Sequence, residues 1–413
     1  MIKHKKEEKQ LIVALDIGTS KIVTVVSELK EDGEIEVLGL GQHISRGLKK
    51  GVVVNIDLTT QAIQRSVEEA ELMADCKIKE VYTGIAGSHI RSLNSTGMVK
   101  IKDLEVNDAD VERVLETAQA ITLPPDQRLL HTLEQEYIID DQTGIKEPRG
   151  MSGMRLEVKV HIVSGAIAAA QNIIKCIKRT GLDTMELVLQ PLASAEAVLT
   201  KDEKELGVCL IDIGGGTTDL IVYKDGSVKH TAVIPIAGDQ ITNDISVAFR
   251  TPNESAEDIK IRHGLAFKYP NDRDEIIDVP LVDGREPKKI STEELVKVIE
   301  PRMTELFELI KNELIRSKLI SYIASGVVIT GGTSMMKNIN EAATKVFNMS
   351  VRTGYPRDIS GLSQIIENPR YATAVGLLKI GKIDFEKNKR QKIDGNSIVQ
   401  ILHRMKIWFQ GNF

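Results

Sequence analysis

At 413 residues the chain is too long for one ordinary hydrophobic core, so roughly two to four domains are expected. Its 42% hydrophobic and 27% charged residues exclude a disordered polymer and fit a globular protein. A net charge of -5 gives no reason to expect nucleic-acid binding across the surface.

The chain starts with MIKHKKEEKQ, a polar stretch without the apolar core of a signal peptide. No run approaches the roughly 20 apolar residues that a membrane-spanning helix needs. LIVALDIGTSKIVTVVSEL (11–29) reads as two β-rich runs around a Gly-Thr-Ser turn, a hairpin. Helical stretches are expected at 57–74, 108–120 and 166–179. The stretch 121–155 is rich in turn residues with short strands, the mark of an inserted small domain. PLASAEAVL (191–199) reads as a further helix with Pro191 in its first turn. GVCLIDIGGGTTDLIVYKDG (207–226) then repeats the first hairpin: Asp16 superposes on Asp212, Ile17 on Ile213 and Gly18 on Gly214. Two copies of one hairpin about 200 residues apart predict two related α/β halves. Residues 254–316 read as helical at both ends around a polar, proline-bearing middle at 269–291. GVVITGGTSMMKNI (326–339) is a third buried strand running into a glycine turn and a helix. From Gly381, GKIDFEKNKRQKIDGNS has little apolar content and reads as a flexible linker before a terminal helix. The cysteines Cys76, Cys176 and Cys209 form neither a pairing framework nor a CxxC, so reduced thiols in a cytosolic protein are expected.

Each strand-glycine-strand turn can point consecutive backbone N–H groups into a phosphate-cradling concavity, since glycine leaves no Cβ in the way. Thr19 and Ser20 in the first turn, and Thr217 and Thr218 in the second, add hydroxyl donors. Two such turns facing each other would clamp a triphosphate. Asp16 and Asp212, at equivalent strand ends, would face the same cleft and suit Mg²⁺ held partly through water. The third turn, Gly331-Gly332-Thr333, offers backbone against which a purine can lie. Glu257 and Lys260 share one helical face, where they either hold a base or ribose or form a plain exposed ion pair. The eight histidines lack metal-ligand spacing, and no Ser-His-Asp or Cys-His arrangement emerges.

Two phosphate turns and an adenosine turn in this order resemble the ATPase superfamily of actin, sugar kinases and heat-shock chaperones. Within it the chain resembles the FtsA family of bacterial cell-division proteins over nearly its full length. The residues that carry the resemblance are LHTLEQEYIIDDQTGIKEPRGMSGMRLEVKVHIV (130–163), QPLASAEAVL (190–199), IEPRMTELFELI (299–310), VVITGGTSMM (327–336) and NPRYATAVGLL (368–378).

The resemblance implies an actin-like fold: duplicated ribonuclease-H-type α/β domains, an inserted small α+β subdomain and a C-terminal amphipathic helix. By position it implies a polar extension at 1–10 and a first domain in two parts, 11–85 and 165–200, split by the insert at 86–164. A second domain, 201–229 and 317–381 with a closing helix, would be split by a small subdomain at 230–316. A linker at 382–396 and a membrane-targeting helix at 397–413 would complete the chain. ATP with Mg²⁺ would be held by Asp16, Gly18, Thr19, Ser20 and Lys21 in the first turn. Asp212, Gly214, Gly215, Gly216, Thr217 and Thr218 would form the second turn, with Glu257, Lys260, Gly331, Gly332 and Thr333 around the nucleoside. Gln190 sits where related ATPases position attacking water, or is simply a helix-start residue. The implied partners are the C-terminal tail of FtsZ, docking on 230–316 near Arg302, further copies of the chain, anionic lipid and later division proteins, with no nucleic acid. The implied place is the cytoplasmic face of the inner membrane at the division site.

On a helical wheel, Ile398, Ile401, Leu402, Met405, Trp408, Phe409 and Phe413 share one face, with Gln400, His403, Arg404 and Gln410 opposite. Lys406 lies at the boundary, where its stem can snorkel, and Ile407 breaks the pattern. A helix only about 24 Å long with a polar face fits the membrane interface and cannot span the hydrocarbon. Arg404 and Lys406 would favour an anionic leaflet, and residues 382–413 carry seven Lys or Arg against three acids. Docking of this helix on the body or on another protein is the alternative. Two other functions compete: a small-molecule kinase of the same superfamily, which would need a substrate carboxylate base that the 60–90 region does not offer, and an actin-like pilus-assembly protein.

Overall fold

The computed structural model describes residues 10–393. The first nine residues and the amphipathic segment with Ile398, Ile401, Leu402, Arg404, Met405, Lys406, Trp408 and Phe409 lie outside the described residues.

The two halves carry the same five-strand plan. In the first sheet the order is Asp183–Leu189, Glu80–Ile85, Leu11–Ile17, Lys21–Leu29, Ile35–Ile44, with Ser360–Gly361 at the edge. In the second it is Val351–Thr353, Val327–Thr330, Val208–Ile213, Thr218–Lys224, Ser227–Ile234. Three strands in each run antiparallel and two add in parallel. The paired hairpins close identically, since Gly18 N–H donates to Lys21 O at 3.0 Å and Gly214 N–H to Thr217 O at 3.0 Å. Leu11–Ile17 and Val208–Ile213 are buried almost without interruption, which is why they read as continuous apolar runs and not as alternating ones.

Residues between the first half's two parts form a separate four-stranded sheet: Arg91–Lys100, Arg155–Ala166, Gln127–Ile139, Gln142–Ile145. Helix Asp108–Gln119 covers it, started by a capping box between Asn107 and Asp110. Its core, with Ile101, Val114, Tyr137, Leu156 and Val160, is its own. The short strands expected in 121–155 are corrected here, because Gln127–Ile139 runs for 13 residues. The turn residues cluster on either side of that strand, and much of the strand is only partly buried, which hid its length.

The third strand of the second sheet runs to Ile234, so a boundary at 230 falls inside it. Helices Gly238–Phe249, Asn253–His263 and Thr292–Arg316 and the hairpin Ile276–Val279 with Lys288–Ser291 follow.

The chain then crosses back. Helix Ala372–Ile393 packs on helix Gln190–Val198 and on strand Leu11–Ile17 of the first half. The linker expected from 382 is therefore corrected as far as Ile393, where the helix continues. Its charged side chains find partners on the body: Lys382 Nζ donates to Gly33 O at 2.5 Å, and Asp384 accepts from the Tyr82 hydroxyl at 2.9 Å. Phe385 packs on the core beside Leu378. Composition alone could not show that the start of this apparent linker has a surface to lie on. Among the described residues no helix is long and apolar enough to cross a membrane.

The closing helix approaches its neighbour through Gly376, where a Cβ would stand 1.7 Å from Ala193 O. Gly376→Ala is expected to destabilise the fold by about 1–3 kcal/mol through overpacking, seen as a lower denaturation midpoint.

Candidate functional site

Where the two halves meet lies a cleft of about 270 Å³. Asp16, Gly18, Thr19, Ser20 and Lys21 line one wall, and Asp212, Gly214, Gly215, Gly216 and Thr217 the other. Glu257, Lys260, Gly331, Gly332 and Thr333 close one end, and Gln190 lies between the walls. The two turns touch: a Cβ on Gly215 would stand 1.8 Å from Ser20 Oγ, and one on Gly216 2.6 Å from Thr19 Oγ1. Thr19 Oγ1 also accepts from Gly51 N–H at 3.0 Å, which holds the first turn against the segment after it. Helix Gly238–Phe249 starts at the second turn, with Gly238 N–H donating to Gly214 O and Asp239 N–H to Gly215 O.

Thr218 is a correction. It is buried with its hydroxyl donating to Ile236 O at 2.7 Å, so it holds the hairpin's root and is not among the cleft-lining residues. Glu257 and Lys260 are not a plain exposed pair. Lys260 is buried, and its Nζ donates to Glu257 at 2.7 Å, Thr242 Oγ1 at 2.8 Å and Gly238 O at 3.1 Å. Gly331 adopts φ of +88°, and a Cβ there would meet Asp212 Oδ1 at 2.3 Å. Thr333 Oγ1 donates to Gly214 O at 2.9 Å, fastening the third turn to the second.

Helix Gln190–Val198 serves both walls. Gln190 Nε2 donates to Asp16 Oδ1 at 3.1 Å, and one turn on, Ser194 Oγ donates to Asp212 Oδ2 at 2.5 Å. Gln190 is thus both the first helical residue and a polar group on the cleft. Gly84 leaves room for it, since a Cβ there would press on Gln190 Cγ at 2.7 Å.

Three largely buried carboxylates crowd this space. Burial raises the Asp16 carboxyl, with Lys21 pulling it back and Asp212 adding to the rise. Burial also raises Asp212, against the hydrogen bonds from Ser194 and Thr373. Burial and the Asp212 charge push Asp219 up to about 8. Lys21 is lowered by burial in turn. Its Nζ lies 4.2 Å from the Tyr371 ring centroid, without a hydrogen-bond partner among the described residues. Asp219 Oδ1 is equally unpartnered. Unpartnered buried ionisable groups of this kind fit a site that receives a polyanion together with a cation. No group of three His, Cys, Asp or Glu among the described residues could hold a metal alone. Any cation here would therefore need oxygens from the ligand and water.

Asp219, Ser194, Arg370 and Thr373 were not anticipated. Asp219 had a signal: it ends the DIGGGTTD run and pairs across the hairpin with Asp212, whereas Val23 faces Asp16 in the first copy. Arg370 and Thr373 reach the cleft only because the chain returns from the second half.

The family model described as "Cell division protein FtsA" matches residues 209–376, and that of the "SHS2 domain inserted in FTSA" matches 87–164, the separate four-stranded sheet. The FtsA of Pseudomonas aeruginosa is 53% identical over 410 residues, covering 98% of each chain. Those of Neisseria meningitidis and Escherichia coli K12 are 49% and 41% identical over 99% of this chain and all of theirs. The chain belongs to the FtsA family of cell-division proteins. Among solved structures, the fold is shared with MreB5 of Spiroplasma citri bound to ADP (TM-score 0.56, 17% identity, 93% of this chain and 98% of that one). It is also shared with the PilM-PilN type IV pilus biogenesis complex (TM-score 0.64, 17% identity, 90% and 98%). These distant likenesses establish the actin-like fold. The full-length relatives establish the family, and FtsA membership sets aside the kinase and pilus-assembly alternatives.

Arg302 lies on helix Thr292–Arg316 of this FtsA-family chain, away from the cleft. Its guanidinium is bound to Asp244, with Nε at 2.6 Å and Nη2 at 3.0 Å, and to Glu305.

Asp219 makes stability pH-dependent. Between its ordinary value of 3.8 and about 8, the folded chain keeps a proton that the unfolded chain has released. The group's stabilising contribution is complete below the lower value and is lost as pH rises through the upper one. Asp219→Asn is therefore expected to raise the melting temperature of the nucleotide-free chain most near pH 8, with the gain shrinking steadily toward acid pH in a scanning-fluorimetry series.

Proposed function

We propose that this chain binds ATP with Mg²⁺, assembles into actin-like filaments, tethers the FtsZ tail to the cytoplasmic face of the inner membrane and recruits later division proteins. The observation that carries the nucleotide reading is the convergence of two touching glycine turns, a third glycine turn and three buried carboxylates on one cleft. Thr19, Ser20, Thr217 and the turn amides bind phosphates, Lys21 neutralises one of them, and Lys260 with Glu257 holds the ribose side. Asp16 and Asp212 hold Mg²⁺ partly through water, and the ion, when bound, offsets phosphate charge. Gln190 orients water toward the cleft from beside Asp16. Fold neighbours bound to ADP and to AMPPNP support the nucleotide class. A double helical filament of MamK, similar in fold (TM-score 0.53, 14% identity), supports self-assembly.

The membrane tie rests on the sequence of the last helix, with Ile398, Ile401, Leu402, Met405, Trp408 and Phe409 toward lipid and Arg404 and Lys406 toward anionic headgroups. One such helix anchors only marginally, so assembly into filaments adds avidity. The FtsZ tail docks on the subdomain that carries Arg302, whose guanidinium keeps donors free beyond those bound by Asp244 and Glu305.

Sedimentation with anionic vesicles tests the anchor. The full chain should pellet with vesicles, more so with Mg-ATP, and a chain ending at Gly395 should stay in the supernatant. Equal behaviour of the two would sink the membrane reading. For the cleft, Gly215→Ala pushes the Ser20 hydroxyl out of the turn. Loss of one charge-assisted hydrogen bond should weaken Mg-ATP binding about tenfold or more, read by titration with a fluorescent ATP analogue. Unchanged affinity would remove the turn from the site.

A further inference from the structure

One polar side chain of the inserted subdomain reaches the backbone beside the cleft-lining Gln190. His131 lies on strand Gln127–Ile139 of the insert, and its Nε2 accepts the Leu189 backbone N–H at 3.0 Å. Leu189 is the last residue of an edge strand of the first sheet and the residue from which helix Gln190–Val198 starts. That helix has no side-chain cap of its own. In a capping box, a side chain from the third helical residue reaches back to the N–H of the capping residue. Here an imidazole from another subdomain performs that task. An amide can only donate, so His131 must present an unprotonated Nε2 and carry its proton on Nδ1. Burial favours that neutral ring by pushing its pKa down to about 4.

The residue after Leu189 is Gln190, hydrogen-bonded to Asp16 at 3.1 Å and confined on the other side by Gly84. The insert strand is shaped for this contact. Its pairing with Arg155–Ala166 skips Leu130 and Gln135, so a bulge stands on each side of the stretch from His131 to Glu134. Leu133 packs against two of the body's three hydrophobic clusters, and Gln135 Nε2 donates to Val228 O of the second half at 2.7 Å. One strand of the insert therefore grips the first half beside Gln190 and the second half a few residues later.

We propose that His131 is a positioning residue of the nucleotide site: by holding the Leu189 N–H, it sets the start of helix Gln190–Val198 and so the placement of Gln190, which makes the inserted subdomain part of the hydrolytic geometry. The inference rests on the reading of Gln190 as the residue that orients water.

The test uses the full chain and Mg-ATP in single-turnover experiments with protein in excess. His131→Leu removes the acceptor, and His131→Gln keeps one near the Nε2 position. A modest displacement of Gln190 should slow conversion of bound ATP to ADP about tenfold in His131→Leu, while ADP affinity stays within about twofold of the parent. His131→Gln should restore most of the rate, and His131→Leu combined with Gln190→Ala should be no slower than Gln190→Ala alone. A parent-like rate in His131→Leu alongside a slow Gln190→Ala overturns the positioning role, and so does a His131→Gln as slow as His131→Leu. If Gln190→Ala itself turns over at the parent rate, or the parent leaves bound ATP intact, the reading of Gln190 falls and the proposal with it. Amide hydrogen exchange in the unaltered chain gives a check independent of any variant's folding. The Leu189 amide should be strongly protected, and exchange at the rate of an exposed edge amide refutes the bond.

Discussion

At the centre of the molecule's functional region, two glycines from one half stand against two hydroxyl side chains from the other. The turns at Gly18–Ser20 and Gly214–Thr217 come from different halves, yet Gly215 and Gly216 stand so near Ser20 and Thr19 that no side chain fits between them. That approach brings donor-rich turns to both sides of one small cleft, which the carboxylates also line. Asp16, Asp212 and Asp219 are then held where their charges are poorly solvated, so their protons bind more tightly than in water.

Helix Gln190–Val198 links the parts that must stay in register. It sends Gln190 to the aspartate of one half and Ser194 to that of the other, from adjacent turns of one rigid element. Its back is set by the closing helix, which comes within contact at Gly376. Its start is held by His131 from the insert. Four elements far apart in the chain thus meet on nine residues.

The duplication was legible in the sequence because it is local. A strand, a glycine turn and a returning strand occupy fewer than 20 residues, and both copies, LDIGTSKIV and IDIGGGTTD, keep their aspartate and first glycine at matching positions. The turn residues that line the cleft were therefore anticipated, apart from Thr218, whose hydroxyl lies on the other side of a strand that alternates its faces. Asp219 was overlooked because the first copy has Val23 at the equivalent position, so the repeat itself offered no second aspartate to match.

The sequence by itself determined the two related halves, the three glycine turns, the insert and the family to which the chain belongs, since each is written in contiguous residues with their own periodicity or motif. Only the tertiary structure decided that residues 382–393 continue a helix, with Lys382 held by Gly33 and Asp384 by Tyr82, more than 300 residues away. It alone brought Thr373 to Asp212, set Lys21 beside the Tyr371 ring and laid His131 against Leu189. Contacts of that kind depend on where the chain returns to itself, and no local pattern of residue types encodes the return.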